Sequence, residues 1–187
     1  MSGKSHAQHR GGILAESQST QVSGAALASD KERDEPMAAA EEKERTTEVL
    51  LVEDNPGDVR LAQEAFRGVS SSIRLHLAAD GLEAMAFLGR QGVHRDAPRP
   101  DLIVLDLNLP KMNGREVLAL IKSDKSLKTI PTIVLSSSET EADVLISYQL
   151  QANCYLRKPT QWDEFDRVVR KINAFWLTKA KLPQVIA

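Results

Sequence analysis

The chain has 187 residues, with 24 Lys plus Arg against 26 Asp plus Glu, a formal charge of −2. That length suits one domain with a tail, and the balanced charge argues against a dedicated nucleic-acid binder. No apolar run exceeds five residues, whereas a membrane-spanning helix needs about 20. The single cysteine, Cys154, excludes an internal disulfide or a Cys-rich zinc site and fits a reducing cytoplasm. Lys4 and Arg10 are followed only by Ile13-Leu14, too little apolar sequence for a secretory signal.

Composition changes near residue 47. Residues 1–47 hold Gly, Ser, Gln, Ala and charge, with few large apolar side chains. They cannot bury enough apolar surface to offset the entropy of ordering, so a disordered tail is expected there. The remaining residues carry 18 basic and 18 acidic side chains and are neutral.

From residue 48 short apolar runs alternate with amphipathic stretches. The runs are Val49–Val52, Ile73–Ala79, Leu102–Leu105, Thr132–Leu135 and Cys154–Leu156. They are rich in Val, Ile and Leu and lack polar alternation, as strands buried on both faces of a parallel sheet do. Between and after them, helical spacing joins Val59 to Val69, Leu82 to Leu88, Val117 to Ile121, Val144 to Leu150, and Trp162 to Trp176. Each stretch opens with a short polar residue and an acid three positions on: Asn55/Asp58, Asp80/Glu83, Asn113/Glu116, Ser138/Glu141 and Thr160/Asp163. The polar side chain accepts from free N–H groups of the first turn, and the acid favours the positive end of the helix dipole. Pro56 suits the first helical position, where its missing N–H costs nothing. The pattern predicts an α/β fold of five strand–helix units, (βα)5.

A parallel sheet puts its ligand site at the carboxyl ends of its strands. There the sequence supplies Glu53-Asp54 after the first strand, Asp106 after the third, Ser136 at the fourth and Lys158 after the fifth; the second offers only its cap, Asp80. Clustered carboxylates repel, and one is driven to protonate unless a cation intervenes. Mg2+ suits them, since it takes hard oxygen ligands and keeps waters and a substrate oxygen. With a hydroxyl and an ammonium alongside, the set reads as a site for phosphoryl transfer to a carboxylate.

Leu51-Val52-Glu53-Asp54-Asn55, then Pro100-Asp101 through Asp106 to Pro110 with Asn113-Gly114, then Leu135-Ser136, then Tyr155-Leu156-Arg157-Lys158-Pro159, resemble the response-regulator receiver domains of two-component signalling. The resemblance covers residues 48–173. The wording around Asp106, and the ending Phe175-Trp176-Leu177, are similar to stand-alone regulators that partner phytochrome-type histidine kinases. It implies a flavodoxin-like, doubly wound parallel sheet of five strands in the order 2-1-3-4-5. It also implies a single-domain response regulator that accepts a phosphoryl group from a sensor histidine kinase, a cytoplasmic signalling protein rather than an enzyme. The phosphoacceptor is then Asp106. Asp54 binds Mg2+ directly, Glu53 directly or through water, and the Asn108 backbone carbonyl completes the protein ligands. Ser136 and Lys158 bind phosphoryl oxygens, and Tyr155 is the aromatic switch. Three departures leave every required group in place: Ser136 for the commoner Thr, Gln151-Ala152-Asn153 where a Gly is usual, and a Glu-Asp rather than Asp-Asp acid pair.

Rival classes fit less well. A haloacid-dehalogenase phosphatase wants a second Asp two residues after the nucleophile, where Asn108 stands. A flavodoxin wants a phosphate-binding loop after the first strand, and Glu53-Asp54 would repel a flavin phosphate. Only 29 residues follow Lys158, so output is expected through protein contact rather than DNA, or else the protein is expected to be a phosphate relay or sink. The expected organisation is a tail over 1–47, a receiver domain over 48–180 and a tail or dimer arm over 181–187. The last helix looks longer than the sheet requires. Phe175, Trp176 and Leu177 are therefore expected either to fold back or to reach a second subunit across the face of the fourth helix, fifth strand and fifth helix, giving a homodimer.

Overall fold

The computed structural model describes residues 45–183, all within one unit. The tail expected over 1–47 lies outside the described residues except for its last three, and so do residues 184–187. The elements in chain order are β1 (Thr47–Val52), α1 (Pro56–Val69), β2 (Ile73–Ala78), α2 (Gly81–Leu88), a single 3-10 turn (Gly92–His94), β3 (Leu102–Leu105), α3 (Gly114–Ser123), β4 (Thr132–Ser136), α4 (Glu141–Gln149), β5 (Cys154–Arg157) and α5 (Trp162–Ile172). All four strand pairings are parallel, in the order β2-β1-β3-β4-β5. This is the (βα)5 doubly wound sheet expected from the sequence.

Side chains of a strand alternate between faces, so the two halves of each apolar run build different cores. Val49, Leu51, Leu102, Val104, Ile133 and Leu135 meet α1 and α5 through Ala62, Phe66, Phe165, Val169 and Ile172. Leu50, Val52, Ile103, Leu105 and Val134 meet α2 and α3 through Phe87, Val117, Leu118 and Ile121. β1, β3 and β4 end in fully buried runs. β2 and β5 do not. Both are edge strands with only intermediate burial along most of their length, and Cys154 is half-buried where a fully buried apolar residue was expected. An edge strand lacks a neighbour on one side, which the composition of a short apolar run does not reveal.

Three of the five helix starts are as expected: Asn55, Asp80 and Asn113 accept from first-turn N–H groups, and Asn113 with Glu116 forms a reciprocal capping box. Two are corrected. α4 is capped by Thr140, which accepts from the Asp143 N–H, and α5 starts after Gln161, which makes no capping bond. Ser138 and Thr160 each stand one or two residues too early, in loops whose polar composition offers several acceptors in a row.

α5 runs on into a π-helical turn, Asn173–Leu177, in which the Ala180 N–H reaches back five residues to the Phe175 carbonyl at 2.8 Å. The wider turn changes which side chains face the sheet. Trp176 and Leu177 pack partly against the α1–α5 core, while Phe175 stays 58% exposed with its ring edge-on to Trp176.

Phe165, 2% exposed, and Phe175 therefore differ sharply in worth. Phe165→Ala should cost about 3–5 kcal/mol in urea unfolding. Phe175→Ala should stay within about 0.5 kcal/mol, as exposed positions do; equal losses would mean that Phe175 is buried.

Candidate functional site

β1 and β3 are adjacent, and the residues that follow them meet at the carboxyl edge of the sheet. Glu53 and Asp106 are 4% exposed there, while Asp54 is turned to solvent. Carboxylate oxygens of Glu53, Asp54 and Asp106 all lie within 4.8 Å of one another. The turn after β3 is held close: the Gly114 N–H donates to the Leu107 carbonyl at 2.9 Å. A Cβ on Gly114 would fall 2.1 Å from the Asp106 carbonyl oxygen, so a side chain there would push α3 off the Asp106 loop.

Lys158, at the end of β5, enters this cluster. Its Nζ donates to Glu53 Oε2 at 2.6 Å, to Asp106 Oδ2 at 2.5 Å and to Asp58 Oδ2 at 3.2 Å. Burial opposes its charge, but the bonds and charges of Asp106 and Glu53 outweigh this and raise its pKa above the ordinary lysine range. Glu53 is raised mainly by burial, partly offset by Lys158. One ammonium is therefore shared among three carboxylates, and Asp54 is left with no hydrogen bond or ion pair among the described residues.

The remaining positions lie around this centre. The Asn108 N–H donates to Asp106 Oδ1 at 3.2 Å, which folds the loop back over the acid. Ser136 is fully buried at the end of β4, and its Oγ accepts from the Ser138 N–H at 3.4 Å. The Tyr155 hydroxyl donates to the Ser138 carbonyl at 2.7 Å, and burial pushes its phenol pKa up. Gln151 adopts φ +65°, the left-handed conformation in which glycine is favoured, at the loop where a Gly is usual. Asp80 takes no part in the acid cluster. It caps α2 and pairs with Lys111 Nζ at 2.5 Å, which lowers its pKa.

The structure thus brings Glu53, Asp54, Asp106 and Lys158 together. Asp58 joins them although the sequence suggested only a helix-start acid. The signal was available: position 58 is one turn after Asp54, and an acid in the first turn of α1 faces the same edge as the β1 terminus. The donor set fits a hard divalent cation, because it offers carboxylate oxygens, one of them solvent-facing, around an incompletely neutralised charge.

Comparison with known proteins agrees with this geometry. Residues 49–170 match the family model described as response regulator receiver domain. Response regulator Rcp1 of Synechocystis sp. is 49% identical over 135 residues, covering 72% of this chain and 92% of Rcp1. The crystal structure of the Mn(2+)-bound form of Rcp1 superposes with a TM-score of 0.70 at 48% identity, covering 74% of this chain and 99% of that one. The phosphorylated cyanobacterial phytochrome response regulator RcpA gives a TM-score of 0.72 at 48% identity, with the same coverage.

Replacing the shared ammonium tests the electrostatics. Lys158→Met leaves two buried carboxylates without their partner, a change worth about 3 kcal/mol or more. The metal-free variant should melt well below the wild type, and Mg2+ should raise the melting temperature of the variant more than that of the wild type. An equal metal effect on both would show that lysine and metal do not share the same charge.

Proposed function

Because the chain belongs to the response regulator receiver family, a family of phosphorelay signalling proteins, we propose that Asp106 accepts a phosphoryl group from the phosphohistidine of a sensor kinase. The observation that carries this reading is the Lys158 ammonium bonded to both Glu53 and Asp106 beside the open carboxylate of Asp54. An Asp106 carboxylate oxygen attacks the phosphorus, the P–N bond to the kinase imidazole breaks with its electron pair staying on nitrogen, and that nitrogen takes a proton from water. Asp54, Glu53 and the Asn108 backbone carbonyl are the residues that would hold Mg2+, which supplies positive charge for the phosphoryl oxygens as they develop in the loose transition state. Lys158 exchanges its bond to Asp106 for one to a phosphoryl oxygen, and Ser136 donates its hydroxyl to another. Catalysis is then positioning and charge stabilisation within one active site that modifies only itself. Later hydrolysis of the aspartyl phosphate ends the signal.

The Mn(2+)-bound state of Rcp1 and the phosphorylated state of RcpA support the metal and the acceptor, and RcpA's association with a phytochrome supports a phytochrome-type kinase as partner. The output is protein contact. α4 exposes Leu145, Ile146 and Tyr148, and Phe175 is exposed beyond α5. These residues support a homodimer across the α4–β5–α5 face, to which Phe175 contributes directly while Trp176 and Leu177 brace it from the chain's own core. No described helix is long and apolar enough to cross a membrane. The organisation is a cytoplasmic receiver over 48–180, with a tail over 1–47 and a tail or dimer arm over 181–187.

Acetyl phosphate with Mg2+ should label the wild type, and Asp106→Asn should abolish the label without unfolding the protein. Mass spectrometry of borohydride-reduced peptides locates the acceptor. Label retained in the variant would move the acceptor elsewhere.

A further inference from the structure

The loop from Ser136 to Thr140 carries the phosphoryl-binding hydroxyl and receives the Tyr155 hydroxyl, so whatever fixes this loop governs both. Three hydrogen bonds centred on Asp143 fix it. Ser138 Oγ donates to one oxygen of the Asp143 carboxylate, and the Arg115 guanidinium donates to the other. Thr140 Oγ1 accepts from the Asp143 backbone N–H at 3.2 Å. Asp143 lies in the first turn of α4 and Arg115 in the first turn of α3. Ser138, bound on its side chain by Asp143, uses its N–H on Ser136 Oγ and its carbonyl on the Tyr155 hydroxyl.

The connection continues to the acid cluster. Arg115 follows Gly114, whose N–H holds the Leu107 carbonyl next to Asp106. A path of covalent and hydrogen bonds therefore runs from the Asp106 loop through Arg115 and Asp143 to Ser138, and from there to Ser136 and Tyr155. None of the phosphoacceptor chemistry uses Arg115 or Asp143.

We propose that Arg115 and Asp143 are positioning residues that latch the β4–α4 loop in the arrangement that keeps Ser136 on the Ser138 N–H and Tyr155 on the Ser138 carbonyl, and so oppose phosphorylation. The proposal rests on the reading of Asp106 as phosphoacceptor. A shift of the loop that carries Ser136 onto a phosphoryl oxygen would loosen the Asp143 bonds to Ser138 and Arg115. A contact present in one state and weakened in the other biases the equilibrium by its differential energy. Ser138, Arg115 and Thr140 hold the Asp143 carboxylate ionised, with its pKa lowered to about 2.

The test is the affinity for beryllofluoride, a phosphoryl mimic, in the presence of Mg2+, measured on the full chain by NMR alongside thermal melting. Arg115→Met and Asp143→Asn should each bind beryllofluoride roughly fivefold tighter or more, with a lower melting temperature. Arg115→Lys should lie near the wild type. Ser138→Ala, which removes one hydroxyl, should tighten binding in the same direction and serves where Asp143→Asn fails to fold. Simple structural damage would weaken beryllofluoride binding together with stability. A wild type that binds beryllofluoride, with variants that bind it no better, overturns the latch alone. A wild type that does not bind it overturns the phosphoacceptor reading and the latch together.

Discussion

The Lys158 ammonium is the interaction on which the carboxyl edge of this sheet depends. The order β2-β1-β3-β4-β5 sets β1 beside β3, so the acids that end these strands face each other from adjacent chain turns. Two of them, Glu53 and Asp106, are almost fully buried, and burial raises the pKa of Glu53. The lysine crosses from β5 at the far edge of the sheet and bonds both. Its reach depends on the strands' common register and on the buried cores that hold β1, β3 and β4 flat against their helices. A small change in any of those layers would move a donor–acceptor pair that is already short.

A single cation shared among three acids is an incomplete solution. Asp54 remains open to solvent, and the cluster can accept further positive charge. A divalent ion and a phosphoryl group together would redistribute the bonds of Lys158 without emptying the site of charge. The same edge is bordered by the β4–α4 loop, whose residues hold Ser136 and Tyr155 from opposite ends. Asp106 and the start of α4 are therefore separated by only one loop and the first turn of α3.

Much of this was legible in the sequence because the residues concerned obey local rules. The buried runs of β1, β3 and β4 read as two-sided strands, and the strand-end acids, hydroxyl and lysine could be placed on one edge from the parallel topology alone. The edge character of β2 and β5 could not be read from their composition, and followed only from the strand order that the family resemblance implied. Nor was the choice of Thr140 over Ser138 as the α4 cap, because Ser138 is held instead by Asp143, five residues further along. The role of Asp58 was hidden behind its service as a helix-start acid. The π-helical turn after Ile172 breaks the 3.6-residue spacing, so the pattern that joined Phe175 to Trp176 did not tell which would face the core.

The most direct test of the shared-ammonium account is an NMR titration of the Lys158 side-chain nitrogen in the metal-free protein. The account predicts that this ammonium keeps its proton at pH values where ordinary lysines have lost theirs, and that Asp106→Asn lowers its pKa toward the ordinary range. Because the folded-state pKa is raised, the stabilisation is complete below the ordinary lysine value and fades only as pH rises through the folded one. A Lys158 that titrates at or below the ordinary lysine value in the wild type, or that is unmoved by Asp106→Asn, would contradict it.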